Sequence, residues 1–405
     1  MTVTPRRLPR VADIAPLLRR EPRTGTRLDR KLARAHTVDD LRTIAQRHTP
    51  RPVFDYVDGG ADDEISMRRA RSAFDAIEFH PRVLRNVADV DTGSPILGRT
   101  SALPLILGPT GFTRLMHHAG ESAVAAAAGA TDIPYALSTM GTVSMEDLTA
   151  RNPEGRNWFQ LYLWRDRDRS RTFIRRAADA GYETLVLTVD VPVAGARRRD
   201  LRSGLTIPPT LSARTIAQIG RHPQWWFNLL TTEPLRFASS DEGAGYGAGK
   251  SMIDPSTTFD DLAWVREQWA GKLLVKGILR PDDAARAVSA GADGIVVSNH
   301  GGRQLDRTVT PLAVLPSVVE AVGAETPVFL DGGVRTGADI VAALCLGAQA
   351  CFVGRPYLYG LMAGGQAGVE RMVDILAAEM ARTMRLLGVT TTADLDGSLI
   401  GRSGT

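Results

Sequence analysis

Eight short apolar runs, each ending in polar or glycine residues and followed by a helical stretch, constrain this chain more than any other feature. The runs are Leu103–Thr110, Pro134–Thr139, Trp158–Leu163, Thr184–Asp190, Lys272–Ile278, Gly294–Ser298, Pro327–Gly333 and Ala350–Arg355. The stretches between and after them read as helices over Gly120–Ala130, Met145–Ala150, Arg169–Ala180, Pro281–Ala290, Leu312–Val322, Gly337–Leu346 and Gly368–Leu387. Near-continuous apolar strands alternating with helices imply a parallel sheet covered by those helices. Eight such units are the count of a closed (β/α)8 TIM barrel, with a doubly wound open sheet as the alternative. The 405 residues, 43% of them hydrophobic, suffice for one large α/β domain with additions.

The barrel is expected over residues 37–390, between an irregular N-terminal arm (1–36) rich in Arg and Pro and a C-terminal tail (391–405). Its first part is an N-terminal helical extension. Thr37 and Asp40 have capping-box spacing ahead of Leu41 and Ile44. Pro52 opens a second helix with Phe54 and Tyr56 that Gly59-Gly60 ends, and a third covers Asp63 to Phe74. One connection breaks the rhythm. The loop after strand four, 191–271, holds Pro208-Pro209, a helix over Ala213 to Ile219, and the apolar cluster Trp225, Trp226, Phe227, Leu229 and Leu230. Excursions of this length are lids, binding loops or disordered segments. Within it, Gly243 to Ser251 imitates a P-loop, but Ala244 stands where the first glycine belongs and no strand precedes it.

A net charge of +4 without a Lys/Arg cluster interleaved with aromatics predicts no nucleic-acid partner. No secretory h-region and no apolar run of about 18 residues occurs. Cys345 and Cys351 are not a CxxC pair and read as core thiols, so a cytoplasmic location is expected. His117 and His118 are adjacent rather than helically spaced, and with no HExxH or paired-Cys set no metal is predicted.

A barrel demands that functional side chains gather at the C-terminal ends of its strands. Polar and glycine residues stand at all eight. They are Pro109-Thr110-Gly111, Ser138, Gln160 with Tyr162, Thr188 with Asp190, Lys276, then Ser298, His300 and Arg303, then Asp331, Gly333 and Arg335, and finally Gly354-Arg355. His300 offers a base near neutral pH, and Arg303 offers a donor fork that fits a carboxylate. The glycines and arginines of the last two edges, ahead of helix N-termini, suit a phosphate. Taken alone, these residues also allow a flavin-free lyase using Lys276 as a Schiff-base amine, or a non-catalytic metabolite sensor.

The string Ser298-Asn299-His300-Gly301-Gly302-Arg303-Gln304-Leu305-Asp306 resembles the active-site signature of the FMN-dependent 2-hydroxy-acid dehydrogenase and oxidase family, which includes glycolate oxidase, lactate oxidase and bacterial L-lactate dehydrogenase. The resemblance runs from about Thr37 to about Leu387. It implies FMN at the barrel mouth, with Pro109, Thr110 and Gly111 along the flavin ring and Ser138, Gln160, Thr188 and Ser298 bonded to the ring and ribityl chain. Lys276 would sit beside ring N1, and Asp331, Gly333, Arg335, Gly354 and Arg355 would hold the ribityl chain and phosphate. It further implies that Arg303 and Arg197 grip the substrate carboxylate, that Tyr56 and Tyr162 bond the substrate, and that His300 is the base with Asp190 as its partner. Two departures stand out. Val193 and Ala196 replace arginines that several members carry, and Met140 stands where glycolate oxidase has Trp, so glycolate is less favoured.

The segments His222-Pro-Gln-Trp-Trp226 and Phe259-Asp-Asp-Leu-Ala-Trp264 are most similar to the respiratory L-lactate dehydrogenase branch. The resemblance thus implies oxidation of an L-2-hydroxy acid, L-lactate foremost, with electrons passing to a quinone. The alternative is an oxygen-using oxidase of lactate or a larger, mandelate-like acid that makes hydrogen peroxide. Trp225 to Leu230, near Arg221 and Arg236, would either touch the inner face of the cell membrane or cover the barrel mouth as a lid. A homotetramer is what the family suggests.

Overall fold

The computed structural model describes residues 7–8, 10–15, 25–204, 219–238 and 253–402. Pro208-Pro209, all but the last residue of the helix expected over Ala213 to Ile219, and the loop Gly243 to Ser251 lie outside the described residues, as do most of 1–24 and the last three residues.

Three short strands precede the barrel: β1 (Ile77–Phe79), β2 (Ser94–Ile96) and β3 (Arg99–Ser101). The barrel strands are β4 (Leu105–Leu107), β5 (Tyr135–Ser138), β6 (Asn157–Leu161), β7 (Thr184–Thr188), β8 (Lys272–Ile278), β9 (Gly294–Ser298), β10 (Val328–Asp331) and β11 (Ala350–Val353). They close in the order β10-β11-β4-β5-β6-β7-β8-β9, every pairing parallel. The eight runs of the sequence are these eight strands. Each is buried on both faces, which is why it reads as continuous rather than alternating apolar residues. Ile106, Ala136, Trp158, Val186, Leu274, Val296, Phe329 and Phe352 point inward and fill the barrel, and Trp158, Phe329 and Phe352 pack with ring centroids 6.0–6.4 Å apart. Their strand neighbours point outward into the larger core shared with the helices.

The pattern of apolar runs does not announce the antiparallel hairpin β2–β3. Its Ile96 joins the interior cluster and closes the barrel floor. Arg156 holds it there, donating to the Ile96 carbonyl at 2.9 Å and to Glu183 at 3.0 Å, while Glu183 also accepts from Trp158 Nε1 at 2.7 Å. The strand β12 (Ile400–Arg402) pairs with β1, so the tail is tied back to the start of the barrel.

The helical extension forms as its capping signals require. Thr37 accepts from Asp40 N–H at 3.1 Å and Asp40 accepts from Thr37 N–H at 3.0 Å, opening the helix Val38–His48. Pro50 and Pro52 flank the first turn of Arg51–Asp58, and the third helix runs Ile65–Asp75. Two boundaries differ from expectation. The last helix begins directly after β11 and spans Arg355–Leu387, kinked where Gly364 and Gly365 leave helical geometry. The helix Phe259–Gln268 packs against Arg167–Asp179 and Pro281–Ser289, so it is the barrel's own helix and the excursion after β7 is shorter, Val189 to Thr258. Among the described residues, no helix is long and apolar enough to cross a membrane.

Candidate active site

A cavity of about 310 Å³ opens at the C-terminal ends of the strands. It brings together fifteen of the nineteen expected residues: Tyr56, Pro109, Thr110, Gly111, Ser138, Tyr162, Arg197, Lys276, His300, Arg303, Asp331, Gly333, Arg335, Gly354 and Arg355. The other four, Gln160, Thr188, Asp190 and Ser298, lie directly behind them, at strand ends or bonded to lining residues.

The loop after β9 is built around a backbone that most residues avoid. His300, Gly301 and Gly302 have φ of +56°, +62° and +71°, and only glycine takes such a run freely. Side chains hold it there. Asn299 accepts from Gly302 N–H at 3.1 Å, and Ser298 Oγ accepts from His300 N–H at 3.0 Å. The turn aims His300 Nδ1 at Asp190 Oδ1, 3.0 Å away across the barrel edge. An Nδ1–H donated to that carboxylate leaves Nε2 as the ring's free acceptor. Burial pushes the Asp190 carboxyl up, but His300 and Lys276 more than reverse it, so the carboxyl titrates below its ordinary range. Its second oxygen, Oδ2, is buried without a hydrogen-bond partner among the described residues.

Two arginines flank one tyrosine. The guanidinium carbons of Arg197 and Arg303 each lie 5.1 Å from the centre of the Tyr56 ring. Arg303 Nη1 donates to the carbonyls of Tyr56 at 2.7 Å and Gly59 at 2.9 Å, and Arg197 pairs with Asp200 at 2.9 Å. Burial and the neighbouring Arg197 push Arg303 down to about 10. Two guanidinium groups set this close disfavour one another, and Asp200 meets only Arg197, so this end of the cavity suits a carboxylate. Tyr162 is pushed up by burial and by Asp190, which keeps its hydroxyl protonated and able to donate.

The opposite side of the cavity has a different character. Lys276 Nζ lies 2.9 Å from Ser298 Oγ and 2.8 Å from Asp331 Oδ2, and Ser298 donates on to Asp331 at 2.6 Å. Burial pulls the Lys276 amine down, yet Asp331 and Asp190 outweigh it and hold an ammonium. That is the wrong form for a Schiff-base nucleophile. Gln160 accepts from Ser138 at 3.0 Å, leaving its Nε2, and Thr188 its Oγ1, buried without partners among the described residues. Orphaned polar atoms in a native interior call for a ligand that pairs them. Gly111 packs directly against Met140, where a Cβ would stand 2.9 Å from Met140 Cβ. Together they suit a flat polar heterocycle such as the flavin ring. Thr110 bonds Tyr357 at 2.5 Å.

Arg355 lines the cavity but its nitrogens are committed to carbonyls of Val57, Gly59 and Gly301 at 2.7–3.0 Å, tying the helix Arg51–Asp58 to the loop after β9. Arg335 reaches out to Asp39 at 3.2 Å.

Sequence reasoning missed several residues that shape the site. Gln304 bonds the carbonyls of Asp190 and Val193 and the N–H of Gly195 at 2.9–3.1 Å, clamping the loop that carries Asp190 and Arg197. Asp306 caps the helix Ile65–Asp75 through the N–H groups of Ile65 and Ser66. Buried Asp58 joins Arg42, Arg199 and the Tyr359 hydroxyl at 2.6–2.9 Å, and Arg71 enters the cavity wall from outside the barrel. Gln304 and Asp306 stand inside the signature string. Asp58 carries no local signal and Arg71 none beyond its pair with Asp75 one turn on, since their other partners lie far away in sequence.

Residues 45–402 match the model of the FMN-dependent dehydrogenase family. A Mycobacterium tuberculosis protein provisionally named an L-lactate dehydrogenase is 56% identical over 393 residues, covering 96% of this chain and 95% of that one. The L-lactate dehydrogenase of Pseudomonas syringae pv. syringae is 41% identical, covering 90% and 98%. Among solved structures, a monotopic membrane protein, (S)-mandelate dehydrogenase, superposes with a TM-score of 0.88 at 37% identity, covering 91% of this chain and all of that one. The chain is a member of the FMN-dependent dehydrogenase family, a 2-hydroxy-acid dehydrogenase on a (β/α)8 barrel whose cofactor is FMN.

Proposed function

We propose that the protein oxidises L-lactate to its 2-oxo acid and passes the electrons to a quinone. The observation that carries this reading is one cavity holding both the Asp190-paired His300 and the Arg197–Arg303 couple around Tyr56. The names of the relatives support lactate as the acid. FMN, when bound, supplies the two-electron acceptor. Gln160, Thr188, Ser138, Ser298 and Lys276 would hold its ring from the strand ends, with Pro109, Thr110 and Gly111 along it, and Asp331, Gly333, Arg335, Gly354 and Arg355 would hold the ribityl chain and phosphate.

On the substrate side, Arg303 and Arg197 bind the carboxylate, which relieves their mutual repulsion. Tyr56 and Tyr162 orient the substrate through their hydroxyls. His300 Nε2 takes the proton that oxidation releases, and the ionised Asp190 stabilises the imidazolium that results. The low dielectric of the cavity strengthens each of these charge interactions.

A second reading takes a larger, mandelate-like acid. Phe112 and Phe237 stack edge-to-face with centroids 4.6 Å apart and, with Met116, Met140 and Ile253, form an apolar wall with room for more than a methyl group. Oxygen as acceptor, with hydrogen peroxide as product, is the alternative to quinone. Exposed Phe227 (58%) and Leu230 (74%) support peripheral contact with a membrane, and the family supports a homotetramer.

The deciding experiment is an absorption spectrum of the purified protein under anaerobic conditions, before and after each acid. Bleaching of the flavin by L-lactate but not D-lactate supports the reading. Bleaching by (S)-mandelate alone moves it to the larger acid, and a protein that takes up no FMN overturns it. Peroxide formation in air separates oxygen from quinone as acceptor.

A further inference from the structure

The helix Ile65–Asp75 belongs to the N-terminal extension, yet barrel loops fix it at both ends. Asp306, after β9, caps its start. At its far end the chain after β10 lies flush on it. A Cβ on Gly333, whose φ is +89°, would stand 2.9 Å from the Ala70 carbonyl and 3.0 Å from the Phe74 ring. From this helix Arg71 reaches across to the same loop. It donates to the Gly333 carbonyl at 2.9 Å and grips both oxygens of Asp339 at 2.5 and 2.8 Å. Asp339 is almost fully buried and in turn accepts from the N–H groups of Arg335 and Thr336 at 2.8 and 2.9 Å.

Resting on the assignment of the phosphate to the loops after β10 and β11, we propose that Arg71 is the positioning residue of that phosphate corner. It sets the Gly333–Thr336 loop and neutralises the carboxylate that stands behind it. The charge argument is direct. A phosphate monoester brings nearly two negative charges to a loop whose own N–H groups at Arg335 and Thr336 are taken by Asp339. With Arg71 in place, which also holds Asp75 at 3.1 Å, the buried Asp339 charge is offset by a bidentate partner, while Arg335, paired with the exposed Asp39, lines the cavity nearby. Without it, a buried carboxylate faces the phosphate through one turn of backbone, and like charges at that range oppose binding. A riboflavin ring system lacking the phosphate is indifferent to this charge, which separates the role from general support of the fold.

The experiment measures flavin release on dilution, by fluorescence, from protein carrying either FMN or riboflavin. Arg71→Met is expected to raise the dissociation constant for FMN about tenfold or more while leaving riboflavin within about twofold. Arg71→Lys keeps a charge but not the fork, so it is expected to weaken FMN less, again sparing riboflavin; it carries the test if Arg71→Met does not fold. Unchanged FMN affinity, or parallel weakening of both flavins, overturns the proposal. A wild-type protein that binds neither flavin removes the functional reading and this inference with it, whereas one that binds both equally removes only the phosphate corner.

Discussion

The loop after β9 and the excursion after β7 leave the same edge of the same barrel, and they are held in opposite ways. From Ser298 to Asp306 nearly every side chain has a partner within the barrel: Ser298 on Asp331, Asn299 on Gly302, His300 on Asp190, Arg303 on Tyr56 and Gly59, Gln304 on Gly195, and Asp306 on the helix Ile65–Asp75. Among its described residues the excursion is anchored at separate points, with exposed apolar side chains between them. Arg199 holds Asp58 and Glu64, Trp225 donates Nε1 to the Leu115 carbonyl at 3.1 Å, Arg114 donates to the Glu233 carbonyl at 2.6 Å, and Phe227 and Leu230 stand exposed. The difference teaches where chemistry and where contact reside. A group that must meet a reacting atom is over-determined by hydrogen bonds, while a surface that meets a changeable partner is held at a few points only.

Four experiments would sharpen or break that contrast. The largest effect is expected from His300→Gln, which should lower kcat about 10²–10⁴-fold while FMN stays bound, because the side chain keeps its volume but loses its basicity. Steady-state kinetics on flavin-loaded protein checks it, and near-normal turnover would refute His300 as the base.

Next comes Asp58→Asn, which takes the carboxylate from Arg42 while Arg199 keeps Glu64. Losing hydrogen bonds to a charged group with part-exposed partners is expected to cost about 1–3 kcal/mol, measured as the shift in denaturant midpoint at pH 7. Burial alone would raise the Asp58 carboxyl, but Arg42, Tyr359 and Arg199 depress it strongly. A carboxyl depressed on folding stabilises fully above its unfolded value, about 4, and loses that contribution as the pH falls below it. The gap between wild type and variant should therefore be constant at neutral pH and close in acid. A gap that did not narrow between pH 4 and pH 2 would point to packing instead of charge.

His117 supplies a smaller, pH-dependent term. Burial and the stacked His118 hold its imidazole down to about 4, so the folded protein keeps it neutral while the unfolded chain protonates it near 6.5. Unfolded chains bind the extra proton between those values, so stability falls as the pH drops from about 6.5 to 4. His117→Gln should flatten that part of the profile in thermal melts, and an unaltered slope would assign the loss elsewhere.

The smallest catalytic effect is expected in the excursion. Phe227→Ser with Leu230→Ser should leave kcat for L-lactate within about twofold, since neither side chain lines the cavity. The same variant should lose sedimentation with anionic vesicles if this segment meets a membrane. Lost turnover with unchanged vesicle binding would make the segment a lid.

Much of the site was legible because a barrel converts chain order into position. Strand ends are marked by a change from apolar to polar residues, and closure brings all eight ends to one rim. That is why Gln160 on β6 and Lys276 on β8 could be assigned to one site from residues more than a hundred positions apart. The capping box at Thr37 was equally readable, since its two hydrogen bonds span three residues. Helix Phe259–Gln268 falls inside the inserted loop on sequence grounds because its amphipathic pattern is weak, so nothing local marks it as one of the barrel's helices.

What the sequence by itself determined is therefore the barrel, its strand count and the set of residues at its rim, all of which follow from short-range periodicity and from chain order. Tertiary structure alone decided the hairpin that closes the floor, the Asp58 hub and the reach of Arg71 to Asp339. Each depends on a partner brought near only by closure of the chain, such as Arg71 and Asp339, 268 positions apart. Burial then fixes how each charge behaves, because whether a carboxylate or a guanidinium stays ionised depends on the partners that fold around it and not on its neighbours in sequence.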